Sequence, residues 1–213
     1  MKKLCLLLLV GLAAMPAFAQ RGVDLILDVE GIRRTGETTE VAPGTLQFFP
    51  DFSNGWGAGG GVNVWLSDRV SFEAKASAFR TRMRVTTYGS DFVINADLGH
   101  ARLYPIMGVL QWHPVENGTF RPYIGVGAAY IILENLNERI GSTSASGIEF
   151  NDPFGLLLDA GVRIQISDRW AAAGDVRYVP VETHGRTTFP GTPAAVRLGV
   201  KPLIAGFGVV YKF

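Results

Sequence analysis

Ala205-Gly206-Phe207-Gly208-Val209-Val210-Tyr211-Lys212-Phe213 is the stretch from which the fold can be read. Phe213, Tyr211, Val209, Phe207 and Ala205 share one face of a strand. Lys212, Val210, Gly208 and Gly206 share the other, because strand side chains alternate with a period of two. Chain termini ordinarily fray. A strand that carries its pattern up to a final aromatic fits one that closes a membrane barrel. Such a strand pairs on both sides and sets its last ring at the lipid–water boundary.

The other end supplies a compartment. Lys2 and Lys3 precede an apolar run from Leu4 to Ala14, and Pro16 is followed by Ala17-Phe18-Ala19. This is the layout of a secretory signal peptide over 1–19, with cleavage before Gln20. The run holds 11 residues, against the ~20 that a bilayer-spanning helix needs. Cleavage would take the single cysteine, Cys5, and two of the 20 Lys+Arg, leaving 18 against 19 Asp+Glu. The mature chain then has neither disulfide framework nor thiol chemistry. Its near-neutral charge gives no reason to expect nucleic acid as a partner.

Alternation continues through residues 20–213, read as one all-β domain. Eight strands are expected, over about 22–34, 55–66, 70–82, 100–113, 120–133, 154–167, 169–181 and 197–213. Val23, Leu25, Leu27 and Val29 oppose Asp24, Asp28 and Glu30. Phe72, Ala74 and Ala76 oppose Ser71, Glu73 and Lys75. Leu156, Leu158 and Ile164 oppose Asp159 and Arg163. Three connections are tight and polar: Ser67-Asp68-Arg69, Pro114 to Thr119, and Ser167-Asp168-Arg169. The other four, about 35–54, 83–99, 134–153 and 182–196, are long and rich in Gly, Thr, Ser, Asn and Pro. Short and long connections alternate. The expected architecture is therefore an eight-stranded antiparallel up-and-down transmembrane β-barrel, with short periplasmic turns, long extracellular loops and both termini periplasmic. Its partner is the lipid bilayer of a Gram-negative outer membrane.

Polar residues on the second face carry both signs. In a narrow barrel that face fills the interior, where charges must pair. Glu73 with Lys75, Asp159 with Arg163, and Asp175 with Arg177 are the candidate lumen ion pairs. Phe72, Trp112, Phe120, Trp170, Tyr211 and Phe213 form a candidate aromatic girdle near the short turns. Trp56, Tyr130 and Tyr178 are candidates for the outer one.

Other chemistries find less support. Gly55-Trp56-Gly57-Ala58-Gly59-Gly60 matches a dinucleotide fingerprint in letters, yet it opens a strand where the fingerprint requires a helix. His100, His113 and His184 have no second ligand at metal spacing. No local arrangement supplies a nucleophile, base and orienter. No catalytic residue, metal ligand or cofactor is assigned, and the chain is not expected to be an enzyme.

The residues from His100 to Tyr130 carry a resemblance. Leu103-Tyr104-Pro105, Val109-Leu110-Gln111-Trp112-His113 and Phe120-Arg121-Pro122-Tyr123-Ile124-Gly125-Val126-Gly127 resemble the OmpW family of eight-stranded outer-membrane barrels. So do Asp159-Ala160-Gly161-Val162, Ser167-Asp168-Arg169-Trp170, Asp175-Val176-Arg177-Tyr178 and the terminal Gly206 to Phe213. The family's usual Leu-Pro-Pro is here Leu-Tyr-Pro. Small OmpA-like barrels share the terminal and turn features. The resemblance implies a narrow channel that passes small hydrophobic molecules and releases them sideways into the membrane. It also implies insertion by the barrel-assembly machinery. Leu103, Met107 and Val109 would line an apolar upper lumen above the charged pairs. The alternative is a non-conducting structural or adhesion barrel acting through its extracellular loops.

Overall fold

The computed structural model describes residues 22–34, 47–88, 93–116, 118–134, 149–150, 154–189 and 192–213. The expected leader, 1–19, lies outside them. Eight strands close a ring: β1 (Val23–Arg34), β3 (Gly55–Trp65), β4 (Val70–Tyr88), β5 (Val93–Trp112), β6 (Phe120–Glu134), β8 (Phe154–Gln165), β9 (Trp170–Tyr178) and β12 (Pro202–Lys212). Each pairs antiparallel with its neighbour in that order, and β12 returns to β1 with Asp24 opposite Lys212 and Arg34 opposite Pro202. Closure removes the sheet edges that a bilayer could not satisfy.

Alternation in sequence becomes alternation in burial. From Ser71 to Arg82 along β4, odd-numbered residues are buried and even-numbered ones exposed. The exposed set around the barrel is large and apolar: Leu27, Val29, Leu110, Ile124, Val126, Leu156, Leu158, Val176, Phe207 and Val209. Leu156 is 67% exposed and Phe207 66%. In water so broad an apolar surface would be an aggregation liability; against lipid it is the required wall. The buried set includes Asp24, Glu30, Glu73, Lys75, Asp159, Arg163 and Arg177. Polarity is thus inside out relative to a soluble barrel.

The tight turns repeat one solution. Leu66 and Ser67 donate their backbone N–H groups to the Val70 carbonyl at 2.9 and 3.0 Å, and Ile166 and Ser167 do the same to Trp170. The two Ser-Asp-Arg turns therefore share their hydrogen-bond chemistry.

The long connections contain more structure than expected. Within 83–99, β4 runs on to Tyr88 and β5 starts at Val93, with a register shift at Met83/Arg84. Within 35–54, β2 (Gln47–Phe52) pairs with the far end of β4. Residues 182–189 and 192–196 are strand and not loop. They lie in a hairpin, β10 (Val181–Phe189) with β11 (Thr192–Val200), that also pairs with β7 (Glu149–Phe150) in a separate three-stranded sheet. The strand expected over 197–213 is therefore split at Lys201, and the one expected over 169–181 ends at Tyr178. Pro180 and Pro202 stand at these breaks, and proline cannot donate to a ladder. The chain changes sheets there.

Candidate functional site

The lumen has two parts. Its lower half, toward the tight turns, is a charge network centred on Arg177. This guanidinium lies 2.8 Å from Glu73, 3.0 Å from Asp175, 3.3 Å from Glu30 and 3.5 Å from Asp159. Lys75 pairs with Asp28 and, at 2.6 Å, with Glu30. Arg163 donates to Asp24 at 2.8 Å and to the Gln111 carbonyl oxygen at 3.1 Å. It also sits over the rings of Tyr123 and Trp65, at 5.5 and 5.7 Å from their centroids. Gln111 donates in turn to Glu73 at 3.1 Å and Asp159 at 2.9 Å. Strands on opposite sides of the barrel are tied through its axis.

The structure brings together one of the three expected pairs. Asp175 does meet Arg177. Glu73 instead pairs with Arg177, and more distantly with Arg163 at 3.7 Å. Lys75 goes to β1, Asp159 to Arg177, and Arg163 to Asp24. The narrow bore brings facing strands within reach of long side chains, so pairs across it compete with pairs along one strand. Sequence reading placed Asp24, Asp28 and Glu30 on the polar face without giving them partners, and it overlooked Gln111 as the connecting amide.

Strand β3 makes the room. Its inward positions include Gly57, Gly59 and Gly61. A Cβ on Gly59 would stand 2.6 Å from an Asp28 oxygen and 2.8 Å from Lys75 Cε; one on Gly61 would meet the Lys75 Cβ at 3.1 Å. Gly59 and Gly61 leave room for the Lys75 side chain, and Gly57 for the Phe79 ring, so glycine here serves packing inside the barrel.

The upper half is apolar. Phe79, Met107, Val109, Ala129, Ile131, Leu157, Val179 and Ile204 form one buried cluster, with Ile32 and Leu103 packed against it. Leu103, Met107 and Val109 thus lie together on the inner wall. Phe79, Ile131, Leu157 and Ile204 were not singled out, although extending the inward series of each strand upward reaches them.

Between β4 and β5 the ladder is interrupted at this level. Pairing runs to Ala76 opposite Ile106 and resumes at Phe79 opposite Leu103. The skipped stretch contains Pro105, which has no N–H.

At the lower rim, Ser71 Oγ lies 3.0 Å from His113 Nε2, just beyond the end of β5. Burial, then Arg163 and Arg121, lower the His113 pKa to about 3, so the ring is neutral. Its Nδ1 has no hydrogen-bond partner among the described residues. Two members of a hydrolytic triad meet there without the carboxylate that would orient them, and both are fully buried. The ring packs between Trp65 and Tyr123, with centroids 4.5 and 5.3 Å away. His100 lies on β5, exposed near the opposite end of the barrel, and His184 on β10.

Phe72, Trp112, Phe120, Trp170 and Phe213 project outward near the tight turns. Trp170, Tyr211 and Phe213 pack edge to face, at 4.9 and 5.0 Å between successive rings.

An inside-out eight-stranded barrel with this layout fits comparison with known proteins. The OmpW family profile matches residues 32–213. The chain belongs to the OmpW family. It is 24% identical over 155 residues to outer membrane protein W of Vibrio cholerae, covering 71% of each chain. Its fold is similar to the crystal structure of OprG from Pseudomonas aeruginosa, with a TM-score of 0.77, 18% identity, and 90% and 95% of the two chains covered. It is also similar to AlkL in lipid bilayers, with a TM-score of 0.65, 18% identity and 90% of each chain covered. This OmpW-family chain is an outer-membrane barrel with periplasmic termini.

Proposed function

We propose that the barrel admits small apolar molecules into the upper half of its lumen and releases them sideways into the membrane between β4 and β5. The observation that carries this reading is the stacking of an apolar layer upon a charge network, beside an interrupted ladder. An apolar solute entering from outside would find compatible walls at Leu103, Met107, Val109, Phe79 and Leu157. Going further down it would have to displace paired charges around Arg177, which is costly. The β4–β5 seam offers another way out, because fewer hydrogen bonds hold it at Pro105. Met107 is the flexible member of the layer, and its unbranched thioether can yield to a guest.

Uptake of a labelled medium-chain hydrocarbon by cells lacking the protein, complemented with wild type or Met107→Trp, tests the passage. Wild type should accelerate uptake and the indole should slow it severalfold. Equal uptake would mean that the apolar layer only fills the barrel. The exit is tested by Ala78→Cys with Tyr104→Cys, at positions facing each other by register. Oxidation should halt uptake and reduction restore it.

A further inference from the structure

On the outer wall, the row above the interrupted seam sets two arginines directly opposite each other. Arg80 of β4 is in register with Arg102 of β5, and both side chains are exposed. Arg82, also exposed, lies one outward position higher and is in register with His100. Like charges directly opposite on one face of a sheet, with Cβ atoms ~4.5–5.5 Å apart, repel. Such an arrangement is stable where an anion lies between them.

Among the described residues, register sets few carboxylates beside these arginines. Arg84, higher still, has Asp51 and Asp97 as register partners, and Arg102 has Glu134 on its other side. Arg80 is flanked by Trp56 and Arg102, and Arg82 by His100 and by Ser53, which bonds only its backbone. Among the described residues no carboxylate is paired with Arg80, Arg82 or Arg102.

The level of the patch in the membrane identifies its counterion. Val70 is opposite Trp112 in the lower girdle, and ten residues further along β4 Arg80 is opposite Arg102. Ten residues rise ~33 Å along a strand, which at a tilt of ~40° is about 25 Å along the barrel axis, the height of the apolar band. The arginines therefore stand at the outer edge of the hydrocarbon, beside the exposed indole of Trp56. Facing them is the outer leaflet of the outer membrane, built from a glycolipid that carries phosphates on its sugar headgroup.

We propose that Arg80, Arg82 and Arg102 form a binding site for a headgroup phosphate of this lipid A-type phosphoglycolipid, bridged between β4 and β5. Two guanidiniums on adjacent strands can each present a fork of N–H donors to phosphate oxygens. The acyl chains would lie down the apolar wall formed by Ala76, Ala78 and Ile106.

The full chain, refolded in nonionic detergent, is titrated with phosphorylated lipid A, and the retained lipid is followed by native mass spectrometry. Specific retention of the phosphorylated form is expected, with binding at least about tenfold weaker for Arg80→Gln/Arg102→Gln. Heat-dependent gel mobility verifies that the variant is folded. Equal binding of dephosphorylated lipid A by wild type would overturn the proposal without reference to any variant. Equal competition by phosphatidylglycerol would reduce the patch to a general attraction for anionic lipid. Displacement by free inorganic phosphate at equal concentration would make it a site for soluble anions. Either result overturns the proposal.

Discussion

The two halves of the lumen are buried to the same degree and held together by different physics. Below, Arg177 is fully buried among four carboxylates, and each group depends on the others being present. Above, Leu157 and Ile204 are as deeply buried, but their contacts are non-directional and replaceable. Removing one member of an ionic set strands the rest in a medium that cannot solvate them. Removing one apolar side chain leaves a cavity that neighbours can partly fill. The lower half is therefore the stiffer part of the lumen, and the upper half is the part that the proposed passage would use.

This contrast ranks the consequences of mutation. Arg177→Met should have the largest effect, destabilising the barrel by about 3–5 kcal/mol, because Glu73, Asp175, Glu30 and Asp159 lose their common partner. Equilibrium unfolding in urea with the protein in lipid vesicles would measure it. A change below about 1 kcal/mol would mean that water or bound cations already solvate these acids, and that the lower half is not the stiffer part. Leu157→Ala, at the same burial in the upper half, should cost about 2–5 kcal/mol in the same assay. The low end of that range is expected, since Met107 beside it can repack. Were Leu157→Ala to exceed Arg177→Met, the apolar half would be the more rigid of the two.

Gly59→Ala adds crowding to the lower half without removing a charge. Its Cβ would stand 2.6 Å from an Asp28 oxygen and from Ser77 Oγ. Overpacking of this kind should cost about 1–3 kcal/mol. Gly60→Ala, pointing to the outer face with 3.3 Å to a Leu27 methyl, should cost less. The difference between adjacent glycines on one strand isolates the tightness of the bore from the general preference of strands for side chains.

Much of this was legible in the sequence. Period-two alternation in β1, β4, β5, β6, β8, β9 and β12 assigns nearly every residue to the lipid or the lumen, because a one-residue slip would move every charge into the hydrocarbon. The inward direction of Met107, Val109 and Arg177 follows from it. The partners of the charges do not follow. Glu73 and Lys75 are two apart on one strand, yet Arg177 reaches Glu73 from a strand 104 residues away in sequence. Which pair forms depends on the width of the bore, which is set by strand number and stagger and not by any local stretch. Strands such as Val181–Phe189 were missed because their neighbours belong to a second sheet. The opposed Arg80 and Arg102 become visible only once register is known.

The smallest expected effect tests whether burial, and not charge as such, separates the halves. Arg69 and Glu116 pair at 2.5 Å across two periplasmic turns, with side chains 55% and 42% exposed. The charges are the same types as those of Arg177 and Glu73. Here water solvates each partner when the other is removed, so the pair should contribute at most about 1 kcal/mol, and less at high salt. Arg69→Ala and Glu116→Ala, singly and together in a double-mutant cycle, measure the coupling directly. A coupling near that of the interior network would show that geometry outweighs desolvation at the rim, and that the network extends into the turns. A coupling near zero confines it to the bore, where the carboxylates around Arg177 are buried from bulk solvent.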